Sequence, residues 1–251
     1  MKFTSHRKSG LLFLSVILFL PCLANATVLG TVDVLYSGIG ARDVMTIWGG
    51  TAQGTSVYAG TYMFQKINGT GQGNLWNNFE VLGTFCIDLA EPLAGNPIRT
   101  YDVIMPADGP KYSSYLGSSM GTKKAKYLQE LWGRYYDPSW TTVYSTSQQN
   151  AMSAAFSMAI WEIVYEDFTG TMNWDVTVDG TPGDGGFAAD YAYSSIANDW
   201  LHSLDGTGPR ADLRVFSLEG GQDFLVAVPE PMTIILLSAG SLVMLKRKRG
   251  A

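Results

Sequence analysis

Apolar and polar residues alternate with a period of two over short stretches between Thr27 and Met105, the pattern of strands that bury one face of a pleated sheet. The stretches are Val28 to Tyr36, Val44 to Trp48, Val57 to Gln65, Phe79 to Asp88 and Tyr101 to Met105. They are rich in tyrosine, valine and phenylalanine, residues that suit a half-buried pleated surface. Gly49-Gly50, Gly54, Asn68-Gly69 and Gly71 punctuate them as predicted turns, because glycine and asparagine accept the positive φ of tight turns. No fixed repeat runs along the chain, which argues against a solenoid or propeller.

Beyond Gly121 the spacing lengthens to about 3.6. Leu128, Leu131, Trp132 and Tyr135 fall at i, i+3, i+4 and i+7 behind Thr122, a predicted N-cap. A second helix is predicted after Ser147, with Met152, Phe156, Ala159, Ile160 and Ile163 on one face and a largely buried course. A third pattern, Tyr193, Ile196, Ala197, Trp200, Leu201 and Leu204, follows a glycine- and aspartate-rich loop from Asp179 to Gly186. Strands return at Asp212 to Leu218 and Phe224 to Val228. Strands, then helices, then strands predict an α+β fold: a mainly antiparallel β-sandwich or barrel with a helical insertion over about residues 121–167 and a further helix near 188–204.

Both ends depart from this pattern. Lys2, Arg7 and Lys8 precede the ten-residue apolar run Leu11 to Leu20, which is followed by Pro21 and Ala24-Asn25-Ala26. A basic start, an apolar middle and an A-x-A site predict a secretory signal peptide over residues 1–26, cut after Ala26 so that the mature chain begins at Thr27. The run is too short to cross a hydrocarbon core of about 30 Å as a helix. Cys22 follows Phe19, Leu20 and Pro21, not the small residues that lipoprotein processing needs, so lipidation is not expected. At the other end Val228-Pro229-Glu230-Pro231 leads into the uncharged apolar stretch Met232 to Leu245 and then Lys246-Arg247-Lys248-Arg249. Four adjacent cations hold that end on the cytoplasmic side. At a rise of about 1.5 Å per residue the apolar stretch spans roughly 21 Å, so Lys246 must snorkel and the helix is a marginal anchor. Pro229 and Pro231 keep the backbone around Glu230 extended.

This three-part order resembles the PEP-CTERM sorting signal, with Pro229, Glu230 and Pro231 matching its tripeptide and the helix and basic tail following. The resemblance implies recognition by an exosortase, a membrane cysteine transpeptidase that cuts near the tripeptide and passes the protein to the outer surface of a Gram-negative, exopolysaccharide-producing cell. The implied partners are the Sec-type export machinery, signal peptidase, the exosortase and, before cutting, the inner membrane. Between the two segments, residues 27–227 suffice for one globular domain, with residues 228–251 as the sorting signal.

The segments change the charge picture. The chain's formal charge is −5, yet seven of its 17 cations and one of its 22 anions lie in them, which leaves ten cations against 21 anions, near −11. Such a surface repels phosphate backbones and anionic head groups, so nucleic acid is not an expected partner. With Cys22 removed, Cys86 is the only cysteine, and no internal disulfide can form. It is buried and inert, paired with another chain, or committed to an internal partner.

Phe85-Cys86-Ile87-Asp88 on a predicted strand, with Ala159-Ile160-Trp161-Glu162-Ile163 in the buried helix, resembles thioester-forming surface adhesin domains. In that family the cysteine condenses with the glutamine of a Gln-x-Ala-Ile-Trp motif. Cys86 matches the cysteine; the glutamine position is Ser157, which cannot supply the acyl carbonyl, and Gln129, Gln148 and Gln149 do not stand at the family's spacing. Other chemistry is sparsely supported. His202, the one histidine of the mature chain, sits on an amphipathic helix without a recognisable partner, so a Cys–His dyad has no support. Asp88 with Glu91, or Glu162 with Glu166 and Asp167, would have to stand roughly 5 to 10 Å apart for glycoside hydrolysis. Asp175, Asp179, Asp184 and Asp190 lack the alternating ligand spacing of a calcium loop, and no metal or cofactor is expected. Trp140, Trp174 and Tyr144, in polar loop contexts, either stack on sugar rings or cap a core. Three functions stay open: an exported structural or exopolysaccharide-associated surface protein, a covalent adhesin using Cys86, and a secreted hydrolase.

Overall fold

The structure is a computed structural model that describes residues 26–94, 97–113, 115–116, 118–166, 174–178 and 186–229. Residues 1–25, with Ala24, lie outside it, as do Asp167, Asp179, Asp184, Glu230, Pro231, the apolar stretch 232–245 and Lys246, Arg247, Lys248 and Arg249. The chain opens with a long hairpin, β1 (Gly30–Gly49) and β2 (Ala52–Gly71). β3 (Val81–Cys86) and β4 (Arg99–Ile104) follow, then α1 (Gly121–Tyr135) and α2 (Ser147–Tyr165). The remainder is β5 (Ala188–Asp190), α3 (Ser194–His202), β6 (Leu213–Leu218) and β7 (Gly221–Ala227).

The strand order is β2-β3-β7-β6-β4-β1-β5, every pairing is antiparallel, and β1 also pairs with β2. Six strands therefore close into a barrel, which removes the exposed edges that an open sheet leaves. Only the first part of β1, Gly30 to Val34, pairs with β4. The rest of the hairpin runs past the barrel, where β5 adds to Thr46, Ile47 and Trp48. The expected α+β architecture, mainly antiparallel with helical insertions, is the one observed.

Several boundaries differ from the sequence reading. Val28 to Tyr36 and Val44 to Trp48 belong to one strand: the stretch between them carries register shifts at Tyr36/Gly38 and Ile39/Arg42, not a turn. Gly54 and Asn68-Gly69 lie inside β2. Gly54 (φ 66°) sits at the shift between Ile47 and Trp48, and a bulge there exploits the same conformational freedom as a turn. A Cβ on Gly69 would stand 2.6 Å from the Gly73 carbonyl oxygen, so this glycine serves a close backbone approach. α1 begins at Gly121 behind Met120, with no side-chain cap, and the predicted Thr122 cap is not used. Residues 188–190 are strand because they complete hydrogen bonds of the hairpin; the third helix starts at Ser194.

Alternation along the strands sorts side chains into two cores. In β3, Phe85 packs with Ile87 toward the helices while Cys86 points into the barrel; in β7, Phe224 and Val226 point in and Leu225 out. The barrel is filled by residues such as Val32, Phe64, Tyr101, Phe216 and Phe224, with Phe64 and Phe224 edge to face at 4.9 Å. Against the outside lies α2, buried on all sides from Ser153 to Tyr165 and started by a capping box between Thr146 and Gln149. Among the described residues no helix is long and apolar enough to cross a membrane.

Candidate functional site

The barrel mouth, the tip of the hairpin and α2 meet around Cys86. β3 carries Cys86 inward, and β7 sets Phe224 opposite it. Two residues back on β7, Gln222 occupies the same face by alternation. Thr51 of the β1–β2 turn and Ala52, Thr55, Val57 and Tyr58 at the start of β2 close over this point, Trp161 of α2 closes it from the helix side, and Ile47, Tyr62 and Leu89 complete a cavity of about 280 Å³. Its walls are fixed by hydrogen bonds. Trp161 Nε1 donates to the Cys86 carbonyl (2.9 Å), Thr51 Oγ1 to the Leu89 carbonyl (3.3 Å), and the Leu89 amide to the Tyr165 hydroxyl (2.7 Å). Gln222 Oε1 is buried without a hydrogen-bond partner among the described residues.

Cys86 is buried, and its Sγ donates to the Asp88 carbonyl at 3.2 Å. Burial pushes the thiol far above its ordinary range, so at neutral pH it is a protonated thiol and a poor nucleophile. Ser157, at the family's glutamine position, hydrogen-bonds the Ser153 and Gly60 carbonyls (3.3 and 3.5 Å) and has no bond to Cys86. Cys86 is expected to resist maleimide in the native protein and to take up one equivalent after denaturation, as measured by intact mass. Rapid native labelling would contradict this burial.

The other sequence candidates serve the fold. Asp88 is 1% exposed, accepts the Ala90 amide (2.9 Å) and has its carboxyl raised by burial; Glu91 is half-buried beside it. Glu162 accepts the Asp175 amide at 3.0 Å. Asp175 takes the Thr177 amide and hydroxyl and the Asn198 side chain, which together hold its carboxyl below the usual range. Asp190 is exposed at the end of β5. Among the described residues no three metal-ligating side chains converge. His202 Nε2 sits 2.8 Å from the Trp174 carbonyl oxygen, which fixes it against its neighbouring loop and not against Cys86.

Trp140 and Trp174 are each 3% exposed and belong to the core, whereas Tyr144 is 90% exposed. Trp140 is buried because its ring packs against Phe85 and Phe156, and Trp174 stands edge to face with Tyr127 at 4.9 Å. Of the segment ends, Ala26 is half-buried and Pro229 exposed just beyond β7. Gln222, Tyr58, Thr51 and Thr55 escaped the sequence reading. The only available signal was alternation in β7, which places Gln222 on the face of Phe224 and Val226.

Comparison with family models, curated proteins and solved structures returns no match for the chain.

Proposed function

We propose that this chain is an exported, exosortase-sorted protein of the cell surface or extracellular matrix, structural or exopolysaccharide-associated. One observation carries the reading. Every strand of the closed ring lies between Gly30 and Ala227, so the segments with leader and sorting character flank in sequence the residues that build the ring. The acidic balance of that body suits an aqueous exterior and disfavours anionic partners. In an exosortase-bearing Gram-negative host the released protein is expected to begin at Thr27 and to end near Glu230. Replacing Pro229, Glu230 and Pro231 by alanine should leave it in the inner membrane, and the released form should be retained on the host's exopolysaccharide. An uncut chain recovered from the cytosol would overturn the reading.

A covalent adhesin is the second reading, and one observation favours it: Cys86 and Gln222 line the same cavity. Condensation of the two would make the protein lighter by one ammonia. The first reading, supported by the protonated thiol and its bond to Asp88, expects an unshifted mass.

A further inference from the structure

We propose that the cavity between the β1–β2 turn and the barrel mouth binds one neutral sugar ring; the proposal rests on the exopolysaccharide-associated reading and names the ligand class of that association. Size is the first argument. At about 280 Å³ the space lies at the lower edge of the roughly 300 to 1,000 Å³ typical of ligand pockets, which suits a single ring.

The chemistry of the walls is the second. Among the described residues no carboxylate, lysine or arginine lines the cavity, and its cysteine is a buried neutral thiol. The one nearby cation, Arg42, lies over the rim ring of Tyr58 and is not part of the lining, so a phosphate or a uronic acid would lose its hydration inside without a counter-charge in the walls. Gln222 carries a buried carbonyl oxygen that no group among the described residues satisfies. An apolar ligand would leave that acceptor orphaned, whereas a ligand hydroxyl donates to it. The hydroxyls of Thr51 in the turn and Thr55 on β2 add polar groups.

Flat surface is the third. Trp161 and Tyr62 form walls, with the Trp161 indole fixed by its bond to the Cys86 carbonyl and the Tyr62 hydroxyl directed at the Tyr58 carbonyl (3.4 Å). Tyr58 is 51% exposed at the rim. The Arg42 guanidinium lies 5.0 Å over its ring, and the exposed part of the side chain can meet the C–H surface of a sugar. Neutral hydroxyls, an unsatisfied acceptor and aromatic planes in one small space are the recognition chemistry of a neutral pyranose.

The test is saturation-transfer NMR on the purified full chain with methyl β-glucoside, methyl β-galactoside, methyl α-mannoside and glucuronate. At least one neutral glycoside is expected to bind and glucuronate not to. Gln222→Leu should weaken that glycoside about tenfold, the value of one lost hydrogen bond, with an unchanged or higher Tm because it removes an orphaned acceptor. Tyr58→Ala, at an exposed position, should weaken it with the fold intact. The proposal is overturned if no neutral glycoside binds, if glucuronate binds as well, or if both variants bind as the parent does. Retention on exopolysaccharide that survives both variants, without any monosaccharide signal, overturns the cavity while supporting the surface-matrix reading.

Discussion

Replacing Phe85 by alanine is expected to destabilise the domain by about 3 to 5 kcal/mol, the cost of an emptied phenylalanine site in a core. Phe85 is fully buried and lies where the barrel wall meets the helices. Its ring stands edge to face with Phe156 (4.9 Å), Trp132 (5.5 Å), Tyr136 (6.2 Å) and Trp140 (6.2 Å). Those neighbours are rigid rings, each held by the others: Trp132 stacks on Tyr136 at 4.5 Å, and Trp140 packs on Phe156 at 5.4 Å. A cavity among them cannot collapse as one among flexible aliphatics would, so the cost belongs at the upper end of its range. For a domain of this size each kcal/mol shifts Tm by about 2 to 4 °C, so thermal unfolding should move down by roughly 6 to 20 °C. Cys86→Ala, one residue along and on the opposite face, removes a single sulfur and should cost far less. A Phe85→Ala loss below about 1 kcal/mol, smaller than the range for such truncations, would mean that this ring cluster does not join the two layers.

How far the sequence revealed this architecture depends on the range of the interaction. α2 was legible because its apolar residues are local and abundant, and the structure buries it on every side. The strands were legible as alternating stretches, but the join between Tyr36 and Val44 was not, since a bulge and a turn ask for the same glycines. Only the partner strand distinguishes them. The choice between sandwich and closed barrel stayed open for the same reason: closure is set by β1 meeting β4 as well as its hairpin partner β2, and the β1–β4 partners stand dozens of residues apart. Trp140 shows the limit for side chains. Its neighbours in sequence, Ser139 and Thr141, are polar, and its burial comes from Phe85 and Phe156, which arrive from elsewhere. The cavity has the same origin. Cys86 drew attention through its motif, while Gln222 joined it only when β7 paired with β3.

Stability is expected to fall as pH rises from about 4 to 7, with Asp223 the chief cause. Asp223 is 1% exposed, and its carboxyl oxygens accept the Lys111 and Leu218 amides at 2.8 and 3.0 Å. Among the described residues no cation pairs with it: the Lys111 ammonium is turned to Asp102 at 2.8 Å. Burial outweighs the two amide bonds and pushes the carboxyl from an ordinary 3.8 up to about 7, with the nearby Asp88 charge acting in the same direction. The folded chain therefore holds this proton more tightly than the unfolded chain. Between the two values it binds more protons, so stability is fully present below about pH 4 and is lost as pH passes through about 7. The gap corresponds to on the order of 4 kcal/mol. Asp88, also raised by burial, adds to the same slope. Asp175 and Asp205 lie below their ordinary values and oppose it, but both sit near solvent, where screening leaves little of the effect. Urea titrations at pH 4.5 and 7.5 should show the lower midpoint at pH 7.5. Asp223→Asn should flatten the difference even though it replaces one amide acceptor with a donor, because the ionisable group is gone. A slope that persists unchanged in Asp223→Asn would place the proton elsewhere.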